Sequence, residues 1–88
     1  MSDRLSIIRG VVAQHGRLAT DVSHLADGDS LYTAGLSSHA SVNVMMALED
    51  EFDVEFPEHL LKRGTFESLH SLESALAEIL DTSDLLTA

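Results

Sequence analysis

Cysteine is absent from this chain. That excludes disulfides and thiolate metal sites, so the fold has to rest on packing alone, as suits a reducing compartment. Proline occurs once, at Pro57, tryptophan not at all, and aromatic residues are only 5% of the total, so a core has to come from aliphatic side chains and methionine. Positive charge is scarce too: 5 Lys and Arg stand against 15 Asp and Glu, a formal net charge of -10. Such a surface repels phosphate backbones and anionic lipid, which argues against nucleic acid and membranes as partners. No apolar run approaches the roughly 20 residues that span a bilayer, and Met1-Ser2-Asp3-Arg4 lacks the charged-then-apolar order of a signal peptide. The expected location is the cytoplasm. With 88 residues there is room for one domain, expected over 1–88 with 81–88 as a frayed tail, and acting as a monomer.

What is present is helical periodicity. Leu5, Ile8, Val12 and His15 fall on one face, widened by Ile7 and Val11, and predict a helix from Ser2 to His15 with Ser2 as N-cap and Gly16 at its C′ position. Residues 17–36 have no period and predict a long loop, pinned by Leu18, Val22, Leu25, Leu31 and Leu36, with a turn at Asp29–Tyr32. Ser37 to Phe52 is the strongest helix, free of glycine and proline, with Ser37 or Ser38 as its N-cap. Pro57 to Lys62 reads as a short helix closed by Gly64, and Ser68 to Leu80 as a last helix burying Leu69, Leu72, Leu76, Ile79 and Leu80. Only Phe52–Phe56 alternates like a strand, and it ends at a proline. The expected fold class is all-α: three longer helices and a short third one, joined through a long first loop into a four-helix bundle.

Catalytic constellations are weak. Ser38 and His39 are neighbours on a helix and do not face each other, and the segment around them lacks the second glycine and preceding strand of a nucleophile elbow. His15, His24, His39, His59 and His70 give no i, i+4 pair for zinc, and a calcium loop opening at Asp27 would have Tyr32 and Ser38 where glycine and glutamate are required. No catalytic residue and no metal ligand is expected. The acids Glu49, Asp50, Glu51, Asp53, Glu55 and Glu58 oppose the dipole of the helix they end, which favours a role toward a basic partner over local stability. The junction Ala34-Gly35-Leu36-Ser37-Ser38 joins a flexible glycine to a serine hydroxyl at a helix N-terminus, where a phosphate is readily accommodated. Spacing alone equally allows an ordinary N-cap serine there.

Gly35-Leu36-Ser37-Ser38-His39, followed by Val42, by Met46-Ala47-Leu48-Glu49-Asp50-Glu51-Phe52-Asp53-Val54 and by Phe56-Pro57-Glu58, resembles the acyl carrier protein superfamily. The resemblance implies a four-helix bundle that is no enzyme itself, with 4′-phosphopantetheine attached covalently to Ser38. Gly-Leu-Ser-Ser followed by Ala40-Ser41-Val42, with Leu60-Leu61, Arg63 and Phe66, is most similar to aminoacyl carrier proteins, which are served by amino acid:carrier protein ligases related to seryl-tRNA synthetases. It implies an aminoacyl or other small acyl thioester as cargo. A conventional acyl carrier for fatty-acid or polyketide-type synthesis is the alternative, and a helical docking domain without a prosthetic group is the alternative of another class.

Implied partners are that ligase or another acyl-activating enzyme, a phosphopantetheinyl transferase and a downstream acceptor. They would meet Leu36, Ser37, His39 and Ser41 around the attachment point, and Val42, Met46, Glu49 and Asp50 along the helix. One of Met45 and Met46 is expected in the core, and the other, Met46, facing outward. The chain departs from the usual pattern in having Ser37 where an acid commonly precedes the attachment serine, and uncharged Ala40 and Asn43 where fatty-acid carriers usually place acids. That weighs against a standard carrier synthase and fatty-acid enzymes as partners. No Lys or Arg occurs between Arg17 and Lys62, so loop, Ser38 and following helix are expected to form one uninterrupted acidic or neutral region.

Overall fold

Helix α1 (Arg4–His15), helix α2 (Ser38–Phe52) and helix α3 (Leu69–Thr87) carry the architecture of the computed structural model, which describes residues 4–87, with side chains through Leu80. Three 3-10 turns, Val22–His24, Glu58–Leu60 and Arg63–Phe66, complete the order, and there is no strand among the described residues. The expected all-α class holds. The short third helix does not: Pro57 to Lys62 condenses to a single 3-10 turn, followed by a second one. Pro57 is extended at ψ 158 and Lys62 at ψ 159, so each end breaks a helical path before a second turn can form. The Ser2 cap expected for α1 lies outside the described residues. Helix α3 runs seven residues past the expected Leu80 because the tail holds no proline or glycine.

Each helix contributes a stripe to one core. Ile8, Val11 and Val12 of α1 meet Ala40, Val44 and Leu48 of α2, which recur every four residues on a single face. Leu69, Leu72, Ala75, Leu76 and Ile79 of α3 close the third side, while Leu80 is only half-buried. Met45 packs partly against this core and Met46 is 54% exposed, so the pair divides as expected. Phe56 and Phe66 stack with ring centroids 5.9 Å apart, tying the first of the two consecutive 3-10 turns to the second.

The long loop is fastened rather than slack. The Arg9 guanidinium donates to the carbonyls of Val22 and Leu25 at 2.8 and 2.9 Å and to the Asp27 carboxylate at 2.8 Å. Leu31 and Leu36 are buried, and the Leu31 amide donates to the Glu67 carbonyl at 2.6 Å. Hydrogen bonds donated by the Ala34, Gly35 and Leu36 amides wind residues 31–35 into the turn that delivers the chain to α2, two residues later than the turn expected at Asp29–Tyr32.

Two glycines have geometric work to do. At the end of α1 the left-handed residue is Arg17, at φ 52, not Gly16. Gly16 is needed because a Cβ there would stand 2.6 Å from the Val12 carbonyl oxygen. Gly35 adopts φ 118, and a Cβ on it would meet the Ala19 amide nitrogen at 2.8 Å, where Ala19 donates to the Ala34 carbonyl. Gly35→Ala is therefore expected to lower stability by about 1–3 kcal/mol in urea denaturation, through backbone strain plus displacement of the 18–19 segment.

Candidate functional site

At the N-terminus of α2 the two neighbouring serines stand in different surroundings. Ser37 is the N-cap, extended at φ -93 and ψ 164, and its Oγ accepts from the Ala40 amide at 3.0 Å. Ser38 opens the helix, exposed, and among the described residues nothing hydrogen-bonds its hydroxyl. The Ser38 carbonyl accepts from the Ser41 hydroxyl at 2.7 Å, a contact that leaves the Ser38 Oγ untouched. The first turn of α2 contains no acid, so no side-chain carboxylate offsets its partial positive charge. Ser37 thus supplies the capping oxygen that an acid in that place would supply, without the charge.

A groove of about 530 Å³ opens beside Ser38, between α2 and the segment carrying the last two 3-10 turns. Val42, Met45, Leu61 and Phe66 make it apolar, and Lys62 and Arg63 border it. Their presence corrects the charge map expected from sequence: folding returns two bases to the serine, although none lies near it along the chain. The Arg63 guanidinium carbon stands 3.8 Å from the Tyr32 ring centroid, and the Tyr32 hydroxyl donates to the Arg63 carbonyl at 3.1 Å. Burial pushes the Tyr32 hydroxyl above its usual pKa, with the Arg63 charge opposing and Glu67 reinforcing the shift, so Tyr32 is a neutral donor at physiological pH. An exposed, unbonded hydroxyl, a helix N-terminus without carboxylates and two bases fit a phosphodiester root, and the apolar wall fits an uncharged arm.

The other expected partner residues divide. His39 is exposed beside Ser38, Val42 is 49% exposed, and Met46 and Asp50 face outward on the same side of α2 as a shallow hollow shared with His15 and Glu51. Ser41 is half-buried at the groove. Leu36 is buried instead: at 5% exposure it is a core residue, drawn in by the turn at 31–35. Glu49 is turned to a structural task, its carboxylate accepting from the Phe56 amide at 2.9 Å and holding the chain after α2. Sequence reasoning missed Tyr32, Lys62 and the hydrogen-bonding role of Glu49, because each depends on contacts between segments far apart in the chain. Among the described residues no group of three His, Cys, Asp or Glu could hold a metal ion, and no helix is long and apolar enough to cross a membrane.

Comparison with known proteins agrees with this geometry. The profile of the family described as "Phosphopantetheine attachment site" matches residues 8–76. The aminoacyl carrier protein of Agrobacterium fabrum is 47% identical over 74 residues, covering 84% of this chain and 89% of that protein. The carrier protein from Agrobacterium tumefaciens, solved in complex with an engineered Bradyrhizobium japonicum glycine:[carrier protein] ligase and ATP, superposes with a TM-score of 0.82 at 44% identity, over 85% of this chain and 97% of that one. The holo acyl carrier protein from Nitrosomonas europaea superposes at 0.78 with 28% identity, over 91% and 99% of the two chains. The profile, which reaches into all three helices, and the relative matched over most of both lengths lead to one conclusion: this chain belongs to the phosphopantetheine-bearing carrier proteins, as a homologue of the aminoacyl carrier proteins.

Proposed function

We propose that Ser38 is the residue that bears the 4′-phosphopantetheine arm, and that the chain holds an aminoacyl group on it, loaded by an amino acid:carrier protein ligase. The observation that carries this reading is the division of labour between the two serines. Ser37 caps α2, which leaves the Ser38 hydroxyl exposed at the rim of the groove with no structural duty. In the attachment step the Ser38 oxygen bonds the pantetheine-bearing phosphorus of coenzyme A and releases adenosine 3′,5′-bisphosphate. Its proton passes to a base on the transferase. The bound arm supplies a terminal thiol, which a cysteine-free chain otherwise lacks.

The chain's own part is positioning. Ser37 fixes the first turn, Gly35 aims it, and the core stripe Ala40, Val44 and Leu48 holds α2 still while the arm swings. A tethered substrate is thereby presented at a raised effective concentration to each partner. No group on this chain is assigned a catalytic role, and the pairing of Ser38 with His39 has no hydrogen bond among the described residues to support a hydrolase.

Partner contact is assigned to His39, Val42, Met46 and Asp50, an apolar spot edged by one acid, with a ligase of basic docking surface as the main partner. A transferase and a downstream acceptor would share this surface, and the reaction cycle would run in the cytoplasm. Such a contact gives fast, reversible association steered by charge. Asp50→Lys is expected to slow loading by the ligase about tenfold at low salt and less at high salt. Because Asp50 is exposed, Tm should stay within about 2 °C of the parent. Loading kinetics against ionic strength, followed by intact mass, check this; an unchanged low-salt rate contradicts the docking assignment. Glu49→Lys is the less clean probe, since it also releases the Phe56 amide.

A further inference from the structure

Fifteen acids against five bases make a carboxylate the commonest charged neighbour on this protein, yet the groove beside Ser38 has none in its lining. Two of the five bases, Lys62 and Arg63, border it instead. Among the described residues neither is paired with a carboxylate: the ion pairs are Arg4 with Glu73, Arg9 with Asp27, and His59 with Glu78. Arg63 is held in place by its stacking on Tyr32, so its charge stays at the groove. The hollow on the other side of α2 has the opposite character, with Asp50 and Glu51 in its walls. Lys62 also lines a neighbouring hollow that includes Glu78, so the charge fixed at the groove beside Ser38 is above all that of Arg63.

Resting on the reading that Ser38 bears the arm, we propose that Lys62 and Arg63 sort the two ends of the loaded arm by charge. They draw the anionic phosphodiester root against α2 and keep the cationic α-ammonium of an aminoacyl cargo out of the groove, leaving the cargo in solvent for partner enzymes. The physical basis is that an ammonium entering the groove would lose hydration beside two like charges, with no carboxylate in the lining to compensate; Glu67, whose charge acts on Tyr32, is not part of that lining. A neutral acyl group of the same size meets no such penalty, and it gains apolar contact with Met45 and Phe66. The groove thus admits acyl groups and rejects aminoacyl groups by charge, not by size.

Two coenzyme A analogues test this, delivering arms that end in a glycyl amide or a propionyl amide. These groups have the same length and differ in charge. The full-length protein is converted with each, conversion at Ser38 is verified by intact mass and peptide fragmentation, and NMR shifts of the Met45 methyl and the Phe66 ring are compared with those of the unacylated holo protein. The propionyl group is expected to move both signals and the glycyl group to leave them in place, a difference in groove occupancy of about tenfold or more. In Lys62→Glu/Arg63→Glu the glycyl group should move them as well, and the ³¹P line of the phosphodiester should shift; Lys62→Gln/Arg63→Gln should fall between. Both sites are exposed, so circular dichroism should match the parent. Equal shifts from the two groups in the parent, or none from propionyl, overturn the charge sorting while leaving attachment at Ser38 standing. Absence of mass gain at Ser38 overturns both.

Discussion

Ser38→Ala is expected to yield a folded protein that gains no mass with any phosphopantetheinyl transferase and coenzyme A, a complete loss of function without loss of fold. The hydroxyl it removes makes no hydrogen bond among the described residues, the position is exposed, and alanine is the stronger helix former. Tm should therefore hold or rise slightly. Ser37→Ala should do the reverse. It deletes the oxygen that accepts from the Ala40 amide and should cost about 1 kcal/mol, while attachment proceeds at Ser38. Thermal denaturation and intact mass on the two variants separate the cap from the attachment point. If Ser37→Ala loses the modification and Ser38→Ala keeps it, the roles assigned to these serines are reversed.

Leu36→Ala should have the largest effect on stability of the substitutions considered. A leucine 5% exposed in the common core leaves a cavity when truncated, and such changes cost about 2–5 kcal/mol. In a domain of this size total stability is on the order of 0.1 kcal/mol per residue, so a large share of it would go. A fall in Tm of roughly 10 °C or more is expected. The result also decides between two roles for the residue. A surface docking leucine would leave Tm alone and slow only the encounter with the ligase, whereas a core leucine lowers Tm and impairs loading only as far as the native population falls.

Helix α2 was legible almost to the residue because its signals are local: an uninterrupted apolar period, a capping serine and no breaker. The same holds for α1 from Arg4 to His15 and for the start of α3, where the Ser68 hydroxyl accepts from the Ser71 amide. The misreadings share a cause. Pro57 does stand at the start of a turn, but Gly64 closes nothing and lies inside the second 3-10 turn; a segment this short takes its form from what it packs on, here around the Phe56–Phe66 stack. Leu36 has two readings in the sequence, as a pin of the long loop and, by resemblance, as a partner contact; the turn at 31–35 carries it inward, so only the first holds. Glu49 belongs to an acidic run whose other members are solvated, and only the backward path of the chain brings the Phe56 amide to it. Lys62 and Arg63 stand more than twenty positions from Ser38, so a charge map drawn along the sequence separates what the fold joins.

The motif led to Ser38 by resemblance, but it left open whether the serine was an attachment point or a helix cap. The structure gives the cap to Ser37, whose oxygen accepts from the Ala40 amide at the start of α2, and leaves the Ser38 hydroxyl without a hydrogen bond among the described residues. The account as a whole stands on that left-over hydroxyl. Its most direct test is site-localised mass spectrometry of the protein after exposure to a phosphopantetheinyl transferase and coenzyme A, with fragmentation fine enough to separate Ser37, Ser38 and Ser41. The expected result is a single phosphopantetheine on Ser38 and none on the other two serines. A modification on Ser37 or Ser41, or an unmodified chain with every transferase tried, would contradict it.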